Sequence, residues 1–444
     1  MADVCELSAA RIAELVRGRE LARHEVVEAH AARIAERNPE LNALVDLRLE
    51  AALTENDGVA SGGPLDGVPV SIKHNFDVEG MPTTLGIRSR AGLVAERDEL
   101  AVRRLRDAGA IVLGKANMPD LAIRWNTLSS LHGSTRNPRD PERSAGGSSG
   151  GDAAAVAAGM SALGLGSDYG GSIRVPATWC GVAGFRPTTG LVPRAPVLPP
   201  HDFPPSYDLM ASSAVLARSV EDLELAFDVL RGASSRDPAS VPVEPAAAAP
   251  PARVALVLDE TGAVVDREVE HAVRAAAETL RAAGYAVEEG VAPDLRRAPE
   301  LWAGIVGTEL IRQRLPPLRD ELGTSALQHI DALYGQFELG QDVSRYLAAL
   351  LERRALARSV AAWMGDYPVV LCPTAGITAP ALDFDENLSL EATRELFDRM
   401  RGLLWVNLFG LPAVALGDGA QLVARRFHDR DALRAARACL GQGR

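Results

Sequence analysis

Residues 165–176 read Leu-Gly-Ser-Asp-Tyr-Gly-Gly-Ser-Ile-Arg-Val-Pro. Successive backbone N–H groups in a glycine-rich turn of this kind form a concave site for an anion. For acyl transfer such a site is an oxyanion hole, and a serine in the same turn, Ser172, is the natural nucleophile. A phosphate loop is the rival interpretation, but the spacing matches neither Gly-x-x-x-x-Gly-Lys-Ser nor Gly-x-Gly-x-x-Gly. Taken alone, the segment is equally compatible with a tight turn that carries no chemistry.

A second glycine- and serine-rich segment lies upstream, where residues 144–151 read Ser-Ala-Gly-Gly-Ser-Ser-Gly-Gly. Such stretches are most often flexible linkers. Here Asp152 and the small-residue run 153–159 follow at once. They predict a buried helix with an acid in its first turn, where the helix dipole favours negative charge. Because a linker fits poorly at the entrance to a core, we predict a turn that brings backbone close to a ligand.

The third feature is Lys73, which ends the alternating run 68–73, Val-Pro-Val-Ser-Ile-Lys. This alternation predicts a strand with Ser71 and Lys73 on one face. Burial would lower the pKa of Lys73 from its ordinary value of about 10.4, so that the neutral amine can serve as a base near pH 7. An exposed lysine on an edge strand is the alternative. A Ser-His-Asp arrangement is also open, with candidates His132, His201, His271, His329 and His428, but a lysine base needs fewer assumptions.

Composition limits the class of protein. Of the 444 residues, 47% are apolar and 24% are charged, as in a soluble globular protein. The net charge of −12 argues against nucleic acid, whose binding needs a concentrated basic face. The four cysteines form no Cys-x-x-Cys pair and the histidines are dispersed, so no metal site is predicted. No signal peptide and no apolar run of about 18 residues is present, which predicts a cytoplasmic protein without membrane contact.

Alternating strands and helices predict an α/β fold whose sheet is covered on both faces. Strands are expected at 68–73, 110–113, 254–258, 285–289 and 369–372, with helices at 99–108 and 269–283 and a loop from Lys115. Helices are expected over the first 45 residues, interrupted at Asn38-Pro39. We predict one domain over 1–444, which divides into an N-terminal helical arm (1–60), a central core (64–193), a variable, largely helical region (233–365, with 233–252 a surface excursion) and a C-terminal return to the sheet (366–444).

These segments together resemble the amidase signature family. The resemblance is dense from Pro64 to Pro193 and looser after residue 370. The segments that carry it are Gly67-Val-Pro-Val-Ser-Ile-Lys73, Gly114-Lys-Ala-Asn-Met-Pro119, Thr135-Arg-Asn-Pro138, Gly146-Gly-Ser-Ser-Gly-Gly151, Gly166-Ser-Asp-Tyr-Gly-Gly-Ser-Ile-Arg174, Cys372-Pro-Thr374 and Asn407-Leu-Phe-Gly-Leu-Pro-Ala413.

The resemblance implies an α/β/α sandwich on one large mixed sheet and a Ser-Ser-Lys triad. The triad falls on Lys73, Ser148 and Ser172, with a cis peptide at Gly147–Ser148. Only the family position separates Ser148 from Ser149, which is expected to be a supporting residue. The resemblance further implies that Ser172 attacks an amide carbonyl and forms an acyl-enzyme that water hydrolyses, without metal or organic cofactor. The backbone oxyanion hole is expected at Tyr169, Gly170, Gly171 and Ser172, supported by Asp168 and Arg174.

The chain departs from the family at His74, where many relatives carry Asp; by alternation His74 points away from Lys73, which favours packing. The Pro-rich stretch 193–205 is expected to border the substrate pocket. Trp302 and Tyr334 are either core or substrate contacts.

We expect a small apolar or aryl amide as substrate, although Arg88 and Arg124 keep an anionic substrate open. The specific substrate-binding residues are not predicted. The alternatives are one subunit of an amidotransferase, an acyl-transferring or amide-forming enzyme and, on this fold, a non-catalytic binding protein. A homo-oligomer is also compatible with the sequence.

Overall fold

The computed structural model describes residues 3–55, 62–199, 202–247, 253–258, 261–335 and 343–441. The strands in these ranges are β1 Leu44–Leu47, β2 Pro69–Lys73, β3 Ile111–Ala116, β4 Leu128–Ser129, β5 Gly133–Ser134, β6 Arg136–Asn137, β7 Asp140–Ser144, β8 Leu163–Asp168, β9 Ala183–Arg186, β10 Ser212–Ala217, β11 Arg253–Leu256, β12 Ala286–Glu289, β13 Val369–Pro373, β14 Ala413–Ala415 and β15 Ala420–Ala424. The α-helices are α1 Ala9–Arg17, α2 Arg23–Leu41, α3 Leu49–Glu55, α4 Leu100–Asp107, α5 Gly150–Ala157, α6 Arg174–Cys180, α7 Pro205–Met210, α8 Val220–Leu230, α9 Arg267–Ala282, α10 Arg297–Glu309, α11 Thr324–Gly335, α12 Val343–Asp366, α13 Leu390–Leu408 and α14 Asp429–Leu440.

Eleven of these strands form one sheet in the order β1-β3-β2-β8-β10-β9-β14-β15-β13-β11-β12. Strand β2 is parallel to both of its neighbours, β3 and β8. Strand β11 is likewise parallel to β12 and β13. The remaining pairs are antiparallel. The predicted α/β fold on a large mixed sheet is therefore confirmed.

Alternate residues of each strand enter different apolar cores. In β10, Val215 and Ala217 pack with α1, α4, α8, α9 and α14, whereas Ala214 and Leu216 pack on the other face with α5 and α6. Further along the sheet, helices α10 to α13 cover this second face. Because successive side chains of a strand point to opposite faces, the sheet lies between two helical layers.

Strand β2 lies inside the sheet, so the alternative of an edge strand with an exposed Lys73 is wrong. Two other predictions need correction. Strand β3 runs through Lys115 to Ala116, where a loop was expected, because β1 and β2 pair with it on both sides. Helix α2 passes Pro39 and ends at Leu41, because the Asn38 carbonyl accepts the N–H of the left-handed Asn42.

The stretch predicted to be largely helical from 301 to 364 contains α10, α11 and α12. Between α10 and α11, residues Leu310–Arg314 form one π-helical turn and Pro316–Glu321 a 3₁₀-helix. The expected excursion 233–252 has no helix or strand in its described part, 233–247, and its last five residues lie outside the description. No helix in the described ranges has both the length and the apolar character needed to cross a bilayer.

Candidate active site

The three segments that contain Lys73, Ser148 and Ser172 meet at the carboxyl ends of two neighbouring strands inside the sheet. Lys73 ends β2 and Asp168 ends the neighbouring β8. Because these two strands are parallel, their carboxyl ends lie side by side. Ser148 and Ser149 directly precede α5, which packs on the same strands. Crevices outside the carboxyl ends of strands are the usual ligand sites of α/β proteins.

Lys73 is completely buried among hydroxyl groups. Its Nζ lies 2.7 Å from Ser148 Oγ and 3.4 Å from Ser167 Oγ. Burial lowers the pKa of Lys73, because the ammonium loses its hydration, while the nearby carboxyl of Asp152 opposes the shift. Burial in turn raises the pKa of Asp152, which accepts a hydrogen bond from Ser71 Oγ at 2.9 Å. A larger fraction of this amine is therefore neutral near pH 7, and able to accept a proton, than of an exposed lysine.

The two consecutive serines have different surroundings. The Gly147–Ser148 peptide is cis, as the family resemblance implies, and Ser148 presents its Oγ to Lys73. Ser149 instead donates its backbone N–H to the carbonyl of Ser172 at 3.1 Å. Ser148 and Ser172 both line one cavity. Among the hydrogen bonds of the described residues, none joins their two Oγ atoms directly.

The turn that carries Ser172 is organised around the carboxylate of Asp168. Its oxygens accept the N–H groups of Gly171 at 3.0 Å and Ile173 at 3.2 Å, and the Nε–H of Arg174 at 3.1 Å. Burial alone would raise the pKa of Asp168, but the adjacent Arg174 guanidinium reverses this and holds the pKa far below its ordinary value. Asp168 is thus a permanent anion that fixes the turn.

Two residues from the C-terminal part of the chain, Asn407 and Gln421, also belong to this network. The sequence analysis assigned neither of them a role. Asn407 Nδ2 donates to Asp168 Oδ1 at 2.8 Å, and its Oδ1 accepts from Arg174. Gln421 Oε1 accepts from Arg174 Nη1 at 2.9 Å. Asn407 begins one of the segments that resemble the family. It lies more than 230 residues from the turn in the sequence, so no local pattern indicated this contact.

Two indole groups hold the peptide planes of the same turn. Trp302 Nε1–H donates to the carbonyl of Tyr169 at 2.9 Å, and Trp125 Nε1–H donates to the carbonyl of Gly170 at 2.7 Å. Since the C=O and N–H of one trans peptide point in opposite directions, these bonds also orient the N–H groups of Gly170 and Gly171. The Gly171 N–H is used by Asp168. The N–H groups of Gly170 and Ser172 donate no hydrogen bond to any described residue.

Glycine is required at both central positions of the turn. Gly171 has φ of +92°, in the region that favours glycine, and a Cβ there would lie 2.8 Å from Leu403 Cδ1. A Cβ on Gly170 would lie 2.7 Å from Cζ2 of Trp302. The backbone therefore approaches the cavity wall more closely than any side chain would permit.

The cavity in front of Ser172 has a volume of about 120 Å³, similar to an engineered cavity of about 150 Å³ that binds benzene. Its walls are largely apolar. Trp302, Tyr334 and the Pro-rich stretch all contribute lining residues, and their contact with substrate stays a prediction; His201 lies outside the described residues. Arg124 also lines the cavity, but its guanidinium is paired with Asp385, with Nη2 2.7 Å from Oδ1. The lining does not include Arg88.

His74 points away from Lys73, as predicted. Its Nε2 lies 2.6 Å from Asp46 Oδ2, and its Nδ1 accepts the N–H of Thr84 at 3.1 Å. Ligand atoms of Asp46, His74 and His132 lie within 4.8 Å of one another, a grouping that the dispersed histidines did not suggest. Because Nδ1 of His74 is an acceptor, Nε2 carries the proton and donates to Asp46. That tautomer does not offer Nε2 as a metal ligand.

Comparisons with known proteins identify the family to which the chain belongs. A family model described as Amidase matches residues 25–431. An indoleacetamide hydrolase of Bradyrhizobium diazoefficiens is 36% identical and spans 98% of this chain and 86% of its own. A glutamyl-tRNA(Gln) amidotransferase subunit of Deinococcus radiodurans is 35% identical, over 94% of this chain and 90% of its own. The solved structure of a 6-aminohexanoate cyclic dimer hydrolase with substrate superposes with a TM-score of 0.84 at 26% identity, covering 99% of this chain and 97% of its own.

These matches define a class of enzymes that act on amide bonds. The chain belongs to the amidase family, as the signature motifs and the mixed sheet indicate.

Proposed function

We propose that this protein hydrolyses a small carboxamide through an acyl-enzyme on Ser172. The observation that carries the proposal is the 2.7 Å contact between Lys73 Nζ and Ser148 Oγ, fully buried beside the turn that presents Ser172. Burial of the lysine supplies a base, the intervening serine supplies a proton path, and the glycine turn supplies N–H groups at the cavity.

The reaction follows from these positions. The Ser172 hydroxyl proton passes to Ser148 Oγ, whose own proton passes to Lys73 Nζ, as Ser172 Oγ bonds to the amide carbon. The Oγ atoms of the two serines approach each other when substrate fills the cavity, because catalytic hydrogen bonds tighten in the complex. The relay then runs in reverse and protonates the departing nitrogen as the C–N bond breaks. Water, deprotonated by the same relay, finally cleaves the acyl ester and frees Ser172.

The negative oxygen of the tetrahedral intermediate is held by the N–H groups of Gly170 and Ser172, which have no other acceptor among the described residues. The N–H of Gly171 donates to Asp168 and is not free to bind the oxyanion. The oxyanion contact expected from the N–H of Tyr169 stays a prediction. The apolar cavity of about 120 Å³ favours a substrate the size of a small aryl amide. The name of the indoleacetamide hydrolase among its relatives supports the same size class.

Active-site labelling tests the nucleophile. Intact-protein mass spectrometry after exposure to a fluorophosphonate should show one adduct, mapped to Ser172 and absent in Ser172→Ala. Lys73→Ala and Ser148→Ala should slow labelling strongly. Ser161→Ala provides the matched control, because Ser161 is equally buried but lies outside the cavity lining. An adduct on another serine, or labelling that is independent of Lys73, would refute the mechanism.

A second candidate is the ammonia-donating subunit of an amidotransferase, favoured by the 35% identity to such a subunit over 94% of this chain. The same acyl-enzyme would also permit transfer to an amine in place of water. Ammonia release by the purified chain alone distinguishes these cases. Hydrolysis without a partner supports an amidase, whereas activity that appears only in a co-purifying complex supports the subunit role.

A further inference from the structure

Charged side chains in the cavity wall are almost all of one sign. The lining contains four arginines, Arg90, Arg124, Arg194 and Arg314, and one acid, Asp77. An apolar cavity with an excess of positive charge is an electrostatic trap for a negative group, because the surrounding low dielectric strengthens the attraction.

Three of these guanidinium groups and the acid have partners within the protein. Asp77 accepts two backbone N–H groups, those of Val197 at 2.6 Å and Leu198 at 3.0 Å. The arginine bonds are Arg124 Nη2 to Asp385 Oδ1 at 2.7 Å, Arg194 Nε to Glu99 Oε1 at 2.5 Å, and Arg90 Nη2 to the Pro199 carbonyl at 2.5 Å. These groups are engaged in holding the wall together.

Arg314 differs from the other three. Among the residues that the structure describes, none forms an ion pair or a hydrogen bond with its guanidinium. Burial lowers its pKa, and the titratable groups that act on it are the hydroxyls of Tyr169 and Tyr207 and the cation of Arg194. The Arg314 side chain is half-buried, and an arginine in a largely apolar wall is normally paired, because partial loss of hydration around an uncompensated charge is costly. Within the described part of the chain, Arg314 is therefore the cavity cation left to meet a ligand.

The backbone around Arg314 is built to place it there. Leu315 N–H donates to the carbonyl of Leu310 at 2.8 Å, which closes a single π-helical turn after α10. Leu310 and Arg314, at the two ends of this turn, both line the cavity. Isolated π turns occur frequently at functional sites. Arg312, two residues earlier in the same turn, is exposed to solvent.

We propose that the substrate carries a carboxylate that binds Arg314, so that the enzyme acts on small amides with an apolar body and an acidic substituent. This inference rests on the proposed amide hydrolysis. A guanidinium and a carboxylate form two parallel charge-assisted hydrogen bonds, which position the substrate as well as attract it. The apolar wall accepts the body of the substrate, while Ser172 faces its amide group.

A pair of substrates of matched shape tests the charge. 4-(Carbamoylmethyl)benzoate and 2-(4-nitrophenyl)acetamide share the same primary amide and the same ring. The nitro group copies the shape of a carboxylate without its charge. Ammonia release is measured for the unchanged protein, for Arg314→Gln and for Arg312→Gln. Arg312→Gln removes an exposed arginine of the same turn and is the matched control.

We expect the unchanged protein and Arg312→Gln to favour the carboxylate substrate by about 10- to 100-fold in kcat/KM, the range of a charge-assisted bond in a desolvated site. Arg314→Gln should lose that preference, so that its kcat/KM values for the two substrates agree within about threefold, and thermal unfolding followed by circular dichroism should show that the variant folds like the unchanged protein. Equal rates on both substrates, or a preference that survives in Arg314→Gln, would overturn the inference.

The two proposals fail in different ways. If no amide is cleaved, the proposed hydrolysis fails, and calorimetric binding to Ser172→Ala then tests Arg314 by itself. The inference predicts that the benzoate binds Ser172→Ala more tightly than the nitro compound, and that this difference disappears in Ser172→Ala/Arg314→Gln. Equal binding of both compounds to Ser172→Ala would overturn it.

Discussion

Lys73 Nζ lies 2.7 Å from Ser148 Oγ, and the two residues are held by different parts of the fold. The lysine ends a strand that is paired on both sides, whereas the serine belongs to the loop before α5. Neither side chain is accessible to bulk water. The pair is thus positioned before any substrate arrives, which is the condition for efficient proton transfer.

Replacing this lysine should remove the base. Lys73→Met is expected to lower kcat/KM by about 10²- to 10⁴-fold, the usual contribution of general acid–base catalysis. Lys73 accepts protons only when neutral, so the rate of the unchanged protein should rise with pH through a pKa below the ordinary value of about 10.4. That rise should be missing in Lys73→Met. The chain has one other lysine, the equally buried Lys115, and Lys115→Met should keep the rise. A pH profile shared by both variants would contradict this role.

Trp302 is expected to act as a positioning residue through the Tyr169 carbonyl. Trp302→Phe keeps a ring in the cavity but removes the Nε1–H that orients the Gly170 N–H. Loss of a direct oxyanion donor costs about 10²- to 10³-fold in kcat, so an indirect effect of about tenfold is expected. It should appear in kcat with KM nearly constant. Trp363→Phe is the control, since its Nε1 has no partner among the described residues. A change confined to KM would indicate packing alone.

Asp168 should dominate the stability of the turn. Asp168→Asn leaves Arg174 buried without its counter-ion, and breaking a buried pair in this way costs about 3–5 kcal/mol of unfolding free energy. The midpoint of urea unfolding measures the loss. Asp294→Asn is the comparison, because its ion pair with Arg296 is exposed and should be dispensable. Equal midpoints for the two variants would show that the Asp168 network is not structural.

His30 gives a pH-dependent contribution to stability. Burial lowers its pKa to about 4, below the ordinary value of about 6.5. Between these two pH values His30 binds a proton in the unfolded chain but not in the folded chain. The free energy of unfolding therefore falls as the pH drops from about 6.5 to about 4, by up to about 1.4 kcal/mol per pH unit. His30→Asn should be free of this loss, so its stability relative to the unchanged protein improves across that window. The exposed His24 on the same helix serves as control; parallel pH curves for His30→Asn and the unchanged protein would refute the prediction.

Local sequence predicted much of the site because its main parts are local. The alternation that ends at Lys73 and the glycines before Ser172 dictate backbone geometry within a few residues. The same reasoning could not place Asn407, Gln421 or Trp302, whose contacts with the turn depend on how distant helices and strands pack.

The errors have the same origin. Lys115 was expected in a loop because only pairing with strands on both sides extends β3 that far. The place of Arg314 in the cavity wall could not be predicted, because no sequence motif surrounds it. Its position depends on one π-helical turn and on the packing of the opposite cavity wall. Packing, which a local pattern does not encode, decides both cases.

The contacts from Asn407 and Gln421 to Arg174 have a consequence for biosynthesis. During translation the turn that carries Ser172 leaves the ribosome long before Asn407 and Gln421, which brace it. A nascent or prematurely ended chain therefore holds Lys73, Ser148 and Ser172, the proposed triad, but lacks the contacts that support the turn of Ser172. The proposed hydrolytic activity should therefore appear only near completion of synthesis.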